Sequence, residues 1–221
     1  MARIELDRDL RQMCDELLSL GSMVEKAISD SITGLRTRDT HLAQQVIAED
    51  DIIDRKRFEM EERCINLIAM QQPIASDLRL ILATLHIAEE LERMGDYAEG
   101  IAKISLLMGD EAPLKPLIDI PRMANLAIEM LGNSLSAFTH EDLELARKIC
   151  QDDDEVDALY DQVYRELLTF MMQDHGAVQR ATYLLWVAHN LERIADRATN
   201  IAERVTFLVT GDTAGLHVSK Y

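Results

Sequence analysis

The sequence predicts an all-α protein made of two tandem three-helix bundles that are related by an internal repeat. The segment LHIAEELERMGDYAEGIA, residues 85–102, recurs 100 residues later as LWVAHNLERIADRATNIA, with nine of eighteen positions identical. The 221-residue chain also contains only four prolines and nine glycines, and three of the prolines lie between residues 113 and 121. Long uninterrupted segments therefore remain on both sides of that stretch.

Apolar residues at alternating spacings of three and four predict the helices of the first half. A second helix is predicted to begin near Thr40, a residue suited to an N-cap, and to end near Pro73. A third follows and ends around Gly109. The first helix, about residues 4–36, is predicted to pack through Leu6, Leu10, Met13, Leu17, Leu20, Val24 and Ala27.

The second half repeats this plan, with the segment DHG at residues 174–176 in place of the proline turn. Because short connections make consecutive long helices antiparallel, each half is predicted to be a three-helix bundle. Its helices are predicted at about residues 122–138, 141–173 and 177–210. The predicted organisation is a first repeat over 1–112, a linker over 113–121, a second repeat over 122–212 and a flexible tail over 213–221.

The composition excludes several functional classes. A formal net charge of −17 repels nucleic-acid phosphates, so basic partners or cations are expected instead. Cys14, Cys64 and Cys150 are isolated from one another, with none of the paired spacings typical of zinc ribbons or redox motifs. The N-terminus has no apolar signal core, and no apolar run is long enough to span a bilayer. These features predict a soluble, cytoplasmic protein.

Four pairs of acidic residues at i, i+4 spacing are the candidate functional residues. Such residues point from the same face of a helix. With 40 acids in the chain, an isolated pair is most simply part of a solvated helix face. The pairs are Asp50/Asp54 and Glu92/Asp96 in the first half, and Asp153/Asp157 and Glu192/Asp196 in the second.

The positions of these pairs about the predicted turns distinguish them from chance pairs. In the first half, the acids of one helix lie as far before Pro73 as those of the next helix lie after it, and the second half has the same symmetry about residues 174–175. Antiparallel packing then brings four carboxylates together in each half. Close carboxylates raise one another's pKa unless protons or cations neutralise them. Carboxylate oxygens suit hard cations such as Mg, Ca, Mn or ferric iron.

Some neighbouring residues have two interpretations. His189 and Asn200 fall on the Glu192/Asp196 face, where they would either complete a metal shell or lie on the surface. Small residues flank the Glu92/Asp96 and Glu192/Asp196 pairs and indicate either tight helix packing, the simpler interpretation, or space for a cluster. They are Ala88, Gly95, Ala98, Ala102, Ala188, Ala195, Ala198 and Ala202.

The segments ELERMGDYAEGIA and NLERIADRATNIAERV, together with QQPIASDLRLI, EDDIID, QDDDEVD and the ending FLVTGD, resemble the signature of the PhoU family of phosphate transport regulators. The resemblance extends over nearly the whole chain. It implies two tandem three-helix bundles and a cytoplasmic homodimer. It also implies negative regulation of two partners, the ATPase component of the high-affinity phosphate transporter and the sensor histidine kinase of the Pho system.

The resemblance further implies divalent or trivalent metal ions in multinuclear clusters, with iron, manganese, magnesium and zinc as candidates. Their ligands would be the eight acids named above. This chain departs from the family at Arg197, where histidine is common; Tyr97 is its first-half counterpart. An arginine beside Asp196 is expected to lower metal occupancy of the second half or to change its composition.

Two alternatives remain open from the residues alone. The first is a metal-dependent helical enzyme, although none of the six histidines lies in the Glu-x-x-His spacing of ferritin-like di-iron proteins. Neither a nucleophile elbow nor a phosphate-binding glycine-rich loop is present in the sequence. The second alternative is a metal-free helical adaptor whose acids form a charged docking surface.

Overall fold

Six α-helices make up the part of the chain that the computed structural model describes, namely residues 2–109, 111 and 113–212. The all-α class and the plan of two three-helix bundles are confirmed. One turn of 3-10 helix, His175–Ala177, precedes the last helix, and the predicted tail 213–221 lies outside the described residues. The helices are α1 (Ala2–Thr37), α2 (Thr40–Gln71), α3 (Ser76–Met108), α4 (Asp119–His140), α5 (Leu143–Gln173) and α6 (Val178–Thr210).

The packing seam of α1 follows the predicted spacing and departs from it at one position. Its predicted residues from Leu6 to Val24 are buried, but Ala27 is only partly buried and Ile28 is fully buried in its place. An α-helix has 3.6 residues per turn, so a strict alternation of three and four drifts slowly around the helix. A spacing of four after Val24 keeps the seam facing the core.

The starts of α2 and α5 use the same chemistry. Asp39, and not Thr40, caps α2 by accepting a hydrogen bond from the Leu42 amide at 3.0 Å. Asp142 caps α5 by accepting from the amides of Glu144 and Leu145, each at 3.0 Å. Each aspartate satisfies amides that have no partner within the helix.

The hairpin turns lie where the sequence places them. Gln72 and Ala75 flank the first turn and have positive φ values of 47° and 48°. In the second, the Asp174 side chain accepts from the Gly176 amide at 2.8 Å. These turns fix which residues of α2 and α5 lie opposite which residues of α3 and α6.

The second half begins earlier than predicted, because α4 starts at Asp119 and not near residue 122. Pro121 lies in its first turn, where amides have no helical acceptor and the missing N–H costs nothing. Before it, Lys115 pairs with Glu166 of α5 and lies 3.4 Å from Asp119. The Lys115 side chain is 8% exposed, so the connection between the halves is packed against the second bundle.

The two halves meet mainly along α3 and α6, and α1 also contacts α4. The α3–α6 contact is antiparallel, with Glu90 near Asn200 and Gly100 near Asn190. Residues related by the repeat thus exchange places, as a pseudo-two-fold axis requires. The eight small residues that flank the predicted acids on these helices are all buried, which supports their interpretation as packing positions.

Among the described residues, no helix has the length and apolar content required to cross a membrane.

Candidate metal centres

Three acids of the first half converge between α2 and α3. Asp50 and Asp54 lie one helical turn apart on α2, and Asp96 lies on α3; one carboxylate oxygen from each is within 4.8 Å of the other two. The antiparallel hairpin therefore brings together acids that lie equally far from its turn. Glu92 is electrostatically coupled to Asp96 and Asp54. We call Asp50, Asp54, Glu92 and Asp96 the first acidic site.

Burial and mutual repulsion favour protonated carboxyls in this site. Burial is the largest cause that raises the pKa of Asp50 to about 7, followed by the charges of Glu99, Asp54 and Asp96. The pKa values of Glu92 and Asp96 are also raised, again mainly by burial. A carboxyl that resists ionisation near neutral pH is a group that a cation would stabilise in its charged form.

The residues present fit a hard cation. Asp54 Oδ1 is buried and has no hydrogen-bond partner, so it is an unsatisfied acceptor within a set of carboxylate oxygens. A Cβ atom at Gly95 would lie 3.2 Å from Asp50 Oδ1, so glycine leaves space beside the site. An unsatisfied buried acceptor and an all-oxygen ligand set are what Mg²⁺, Mn²⁺, Ca²⁺ or ferric iron would complete.

Glu99 is an acidic neighbour of the first acidic site that the sequence interpretation missed. Its charge is the first electrostatic cause of the raised Asp50 pKa, and its carboxylate pairs with Lys103 at 2.5 Å. It lies three residues after Asp96, on the same face of α3. That spacing was a usable signal, but the repeat obscured it because Thr199 occupies the equivalent position in the second half.

The second acidic site consists of Asp153 and Asp157 on α5 and Glu192 and Asp196 on α6. Burial is the first cause that raises the pKa of Asp153 to about 7, followed by the charges of Asp157, Asp196 and Glu192. Asp153 Oδ1 is likewise buried without a hydrogen-bond partner. No three of these four residues, all of which the structure describes, bring carboxylate oxygens within 4.8 Å of one another as the first site does.

The arginine that follows the glutamate differs between the sites. In the second, Arg193 Nε and Nη2 donate to the two carboxylate oxygens of Glu192 at 2.7 and 2.6 Å, and Nη1 lies 3.0 Å from Asp196. In the first, Arg93 remains 3.7 Å from both Glu92 and Asp96. The Arg193 side chain is two-thirds buried, whereas that of Arg93 is 55% exposed.

The other residues predicted beside the second acidic site, His189, Asn200 and Arg197, have different partners. His189 Nδ1 lies 3.6 Å from Glu192 Oε2, and its ring packs near Tyr160 with 6.2 Å between centroids. Asn200 donates to Glu90 of α3 at 3.2 Å and therefore serves the contact between the halves. Arg197 also turns to Glu90, with 3.3 Å between Nη1 and Oε2.

Comparison with known proteins agrees with this architecture. The PhoU domain family matches residues 17–105 and 120–205, one stretch in each half. The phosphate-specific transport system accessory protein PhoU homolog of Clostridium acetobutylicum is 41% identical over 218 residues, which cover 98% of this chain and all of the relative. The homolog from Aquifex aeolicus is 39% identical over 190 residues, covering 86% of each chain.

Solved structures show the same arrangement of helices. The crystal structure of PhoU from Pseudomonas aeruginosa superposes with a TM-score of 0.89 at 36% identity, covering 93% of this chain and 99% of that one. The phosphate transport system regulatory protein PhoU from Streptococcus pneumoniae gives a TM-score of 0.89 at 30% identity, covering 96% and 100%. From the matched repeats and these near full-length similarities, the chain belongs to the PhoU family.

Proposed function

We propose that this protein is an accessory protein of a phosphate-specific transport system that restrains phosphate uptake and Pho signalling when phosphate is plentiful. The observation that carries the proposal is its near full-length identity of 41% to a relative named as such an accessory protein. The structural relative from S. pneumoniae is described as a phosphate transport system regulatory protein. The role is regulatory, and we assign no catalytic residues.

The proposed partners are the ATPase component of the phosphate transporter and the sensor histidine kinase of the Pho system, with the protein itself a cytoplasmic homodimer. A net charge of −17 favours partner surfaces that are rich in lysine and arginine.

We propose further that the two acidic sites hold metal ions. Asp50, Asp54, Glu92 and Asp96 would hold the metal of the first half, and Asp153, Asp157, Glu192 and Asp196 that of the second. The unsatisfied oxygens of Asp54 and Asp153 support this assignment. A bound cation would supply the positive charge that lets these acids ionise together. Each metal would then tie α2 to α3, or α5 to α6, and stiffen the helix pair for partner docking.

Gene deletion tests the regulatory role. We expect loss of the protein to raise Pho-responsive expression in phosphate-rich medium, and we expect the intact gene to restore repression. An unchanged level of expression in the deletion strain would contradict the role.

Elemental analysis by plasma mass spectrometry tests the metal sites on protein purified without chelator. We expect bound metal in the native chain and loss of the first-site metal in the Glu92→Ala/Asp96→Ala variant. A matched control is Glu5→Ala/Asp9→Ala, which removes a pair of the same spacing on α1, away from both sites. Equal metal in native protein and the first variant would refute the assignment. No metal in any of the proteins would favour a metal-free adaptor with a charged docking surface.

A further inference from the structure

Arg193 of the second acidic site already occupies the position of a counter-ion. Its guanidinium forms a two-point contact with the Glu192 carboxylate, at 2.6 and 2.7 Å, and reaches Asp196 at 3.0 Å. Both acids are predicted ligands of the same site. One side chain of this protein, with a single positive charge, therefore contacts two of the four acids of that ligand set.

The equivalent residue of the first site does not act in this way. Arg93 lies 3.7 Å from Glu92 and from Asp96, beyond hydrogen-bond distance, and its side chain is 55% exposed against 34% for Arg193. With Arg93 at that distance, Asp96 joins Asp50 and Asp54 in a group whose oxygens already lie within 4.8 Å of one another.

The cost of admitting a cation must differ between the two sites. Two-point arginine–carboxylate contacts are charge-assisted and roughly twice as strong as neutral hydrogen bonds. A cation that enters the second site must displace the Arg193 guanidinium from Glu192 and Asp196. Until the arginine moves away, the two positive charges repel each other at short range. A cation entering the first site breaks no comparable contact.

We propose that Arg193 is an internal counter-ion that makes the second acidic site the weaker of two unequal metal sites. The inference rests on the proposed metal binding and extends it. The first site fills at low metal concentration with little rearrangement. The second fills only when metal is abundant enough to drive Arg193 into solvent. The protein then has a half-loaded form and a fully loaded form. The two differ in the net charge of the second acidic site and in the position of Arg193 on the α5–α6 face.

Titration of the full-length, chelator-treated protein with Mn²⁺ tests this inference, with bound and free ion followed by electron paramagnetic resonance. We expect two classes of site in the native chain, at least about tenfold apart in affinity. Asp50→Asn should remove the tighter class and Asp153→Asn the weaker one, which assigns each class to its half.

The decisive comparison is between Arg193→Gln and Arg93→Gln, which remove the same charge from equivalent positions. We expect Arg193→Gln to tighten the weaker class about tenfold and Arg93→Gln to change either class less than about threefold. Glutamine keeps a polar, helix-compatible side chain, and an unchanged far-ultraviolet circular dichroism spectrum checks folding. A residue that only supported the fold would weaken binding on removal, not tighten it.

If both sites of the native chain bound Mn²⁺ with equal affinity, this inference would be overturned, while the proposed metal centres would remain intact. An unmoved weaker class in Arg193→Gln would also overturn it. Absence of Mn²⁺ binding from every protein would refute the metal centres themselves and the inference with them.

Discussion

Arg197 of α6 and Glu90 of α3 form an ion pair across the contact between the two halves, with 3.3 Å between Nη1 and Oε2. Asn200 donates to the same carboxylate oxygen at 3.2 Å, and the Tyr97 side chain hydrogen-bonds to Arg197. Tyr97 and Arg197 are repeat equivalents, so they meet where the pseudo-two-fold axis passes between the helices. Arg197 thus joins the two bundles, and its charge also favours the ionised form of Asp196 in the second acidic site.

The first prediction concerns this ion pair. Arg197→Gln should lower the free energy of unfolding by about 1–2 kcal/mol, because Glu90 is 81% buried and would keep only a neutral partner. Urea denaturation measures the change. Arg147→Gln, which removes an exposed pair with Glu144, is the control and should cost less than about 0.5 kcal/mol. Equal effects of the two substitutions would show that the contact adds nothing to the α3–α6 interface.

The second prediction concerns the packing of α2 against α3. A Cβ at Gly95 would lie 3.2 Å from Ile53 Cγ2 and 3.3 Å from Ile53 Cδ1, both tighter than ordinary contact. In the second half, Ala195 is the repeat equivalent of Gly95 and Val156 that of Ile53. The second half therefore has one more carbon at the α6 position and one fewer at the α5 position. Overpacking usually costs about 1–3 kcal/mol, and alanine returns up to about 1 kcal/mol of helix propensity.

We therefore expect Gly95→Ala to lower the melting temperature and Ile53→Val, which removes Cδ1 and keeps Cγ2, to restore part of the loss in the double variant. Calorimetry on the single and double variants measures the coupling between the two positions. Additive effects, with no rescue in the double variant, would mean that the two side chains do not compete for the same space.

The third prediction concerns pH. Burial and neighbouring charges raise the pKa of Asp50 from 3.8 to about 7 in the folded protein. The folded state therefore holds this proton more tightly than the unfolded chain, and stability is lost as pH rises from about 4 to 7. Metal-free Asp50→Asn should melt higher than the native protein at pH 8 and at nearly the same temperature at pH 4.

Thermal unfolding in chelator at the two pH values measures this difference. Asp51→Asn, a change at an exposed neighbour on α2, is the control and should follow the native protein at both. Saturating Mn²⁺ should reverse the order at pH 8, because the asparagine variant lacks a charged ligand. A native protein that melts above Asp50→Asn in chelator at pH 8 would contradict the raised pKa.

Local rules of the chain determined much of this protein. Helical periodicity and turn residues placed the six helices to within a few residues, because hydrogen bonds and caps such as those of Asp39 and Asp142 act over three or four positions. Equal distances from the hairpin turns also predicted that Asp50, Asp54 and Asp96 would meet. Periodicity, caps and distances from the turns, all of which can be counted along the sequence, were sufficient for these inferences.

Tertiary structure alone decided where the long side chains go. Arg93 and Arg193 occupy equivalent positions in the repeat. Only the folded protein shows that Arg93 lies 3.7 Å from Glu92, whereas Arg193 donates a hydrogen bond to Glu192 at 2.6 Å. Arg197 is next to Asp196 in sequence but pairs with Glu90, 107 positions away. The physical reason is that an arginine has several rotatable bonds and reaches any carboxylate within its length. Which carboxylate it pairs with therefore depends on the charge and burial that the folded protein places around it. Local spacing in the sequence does not encode these.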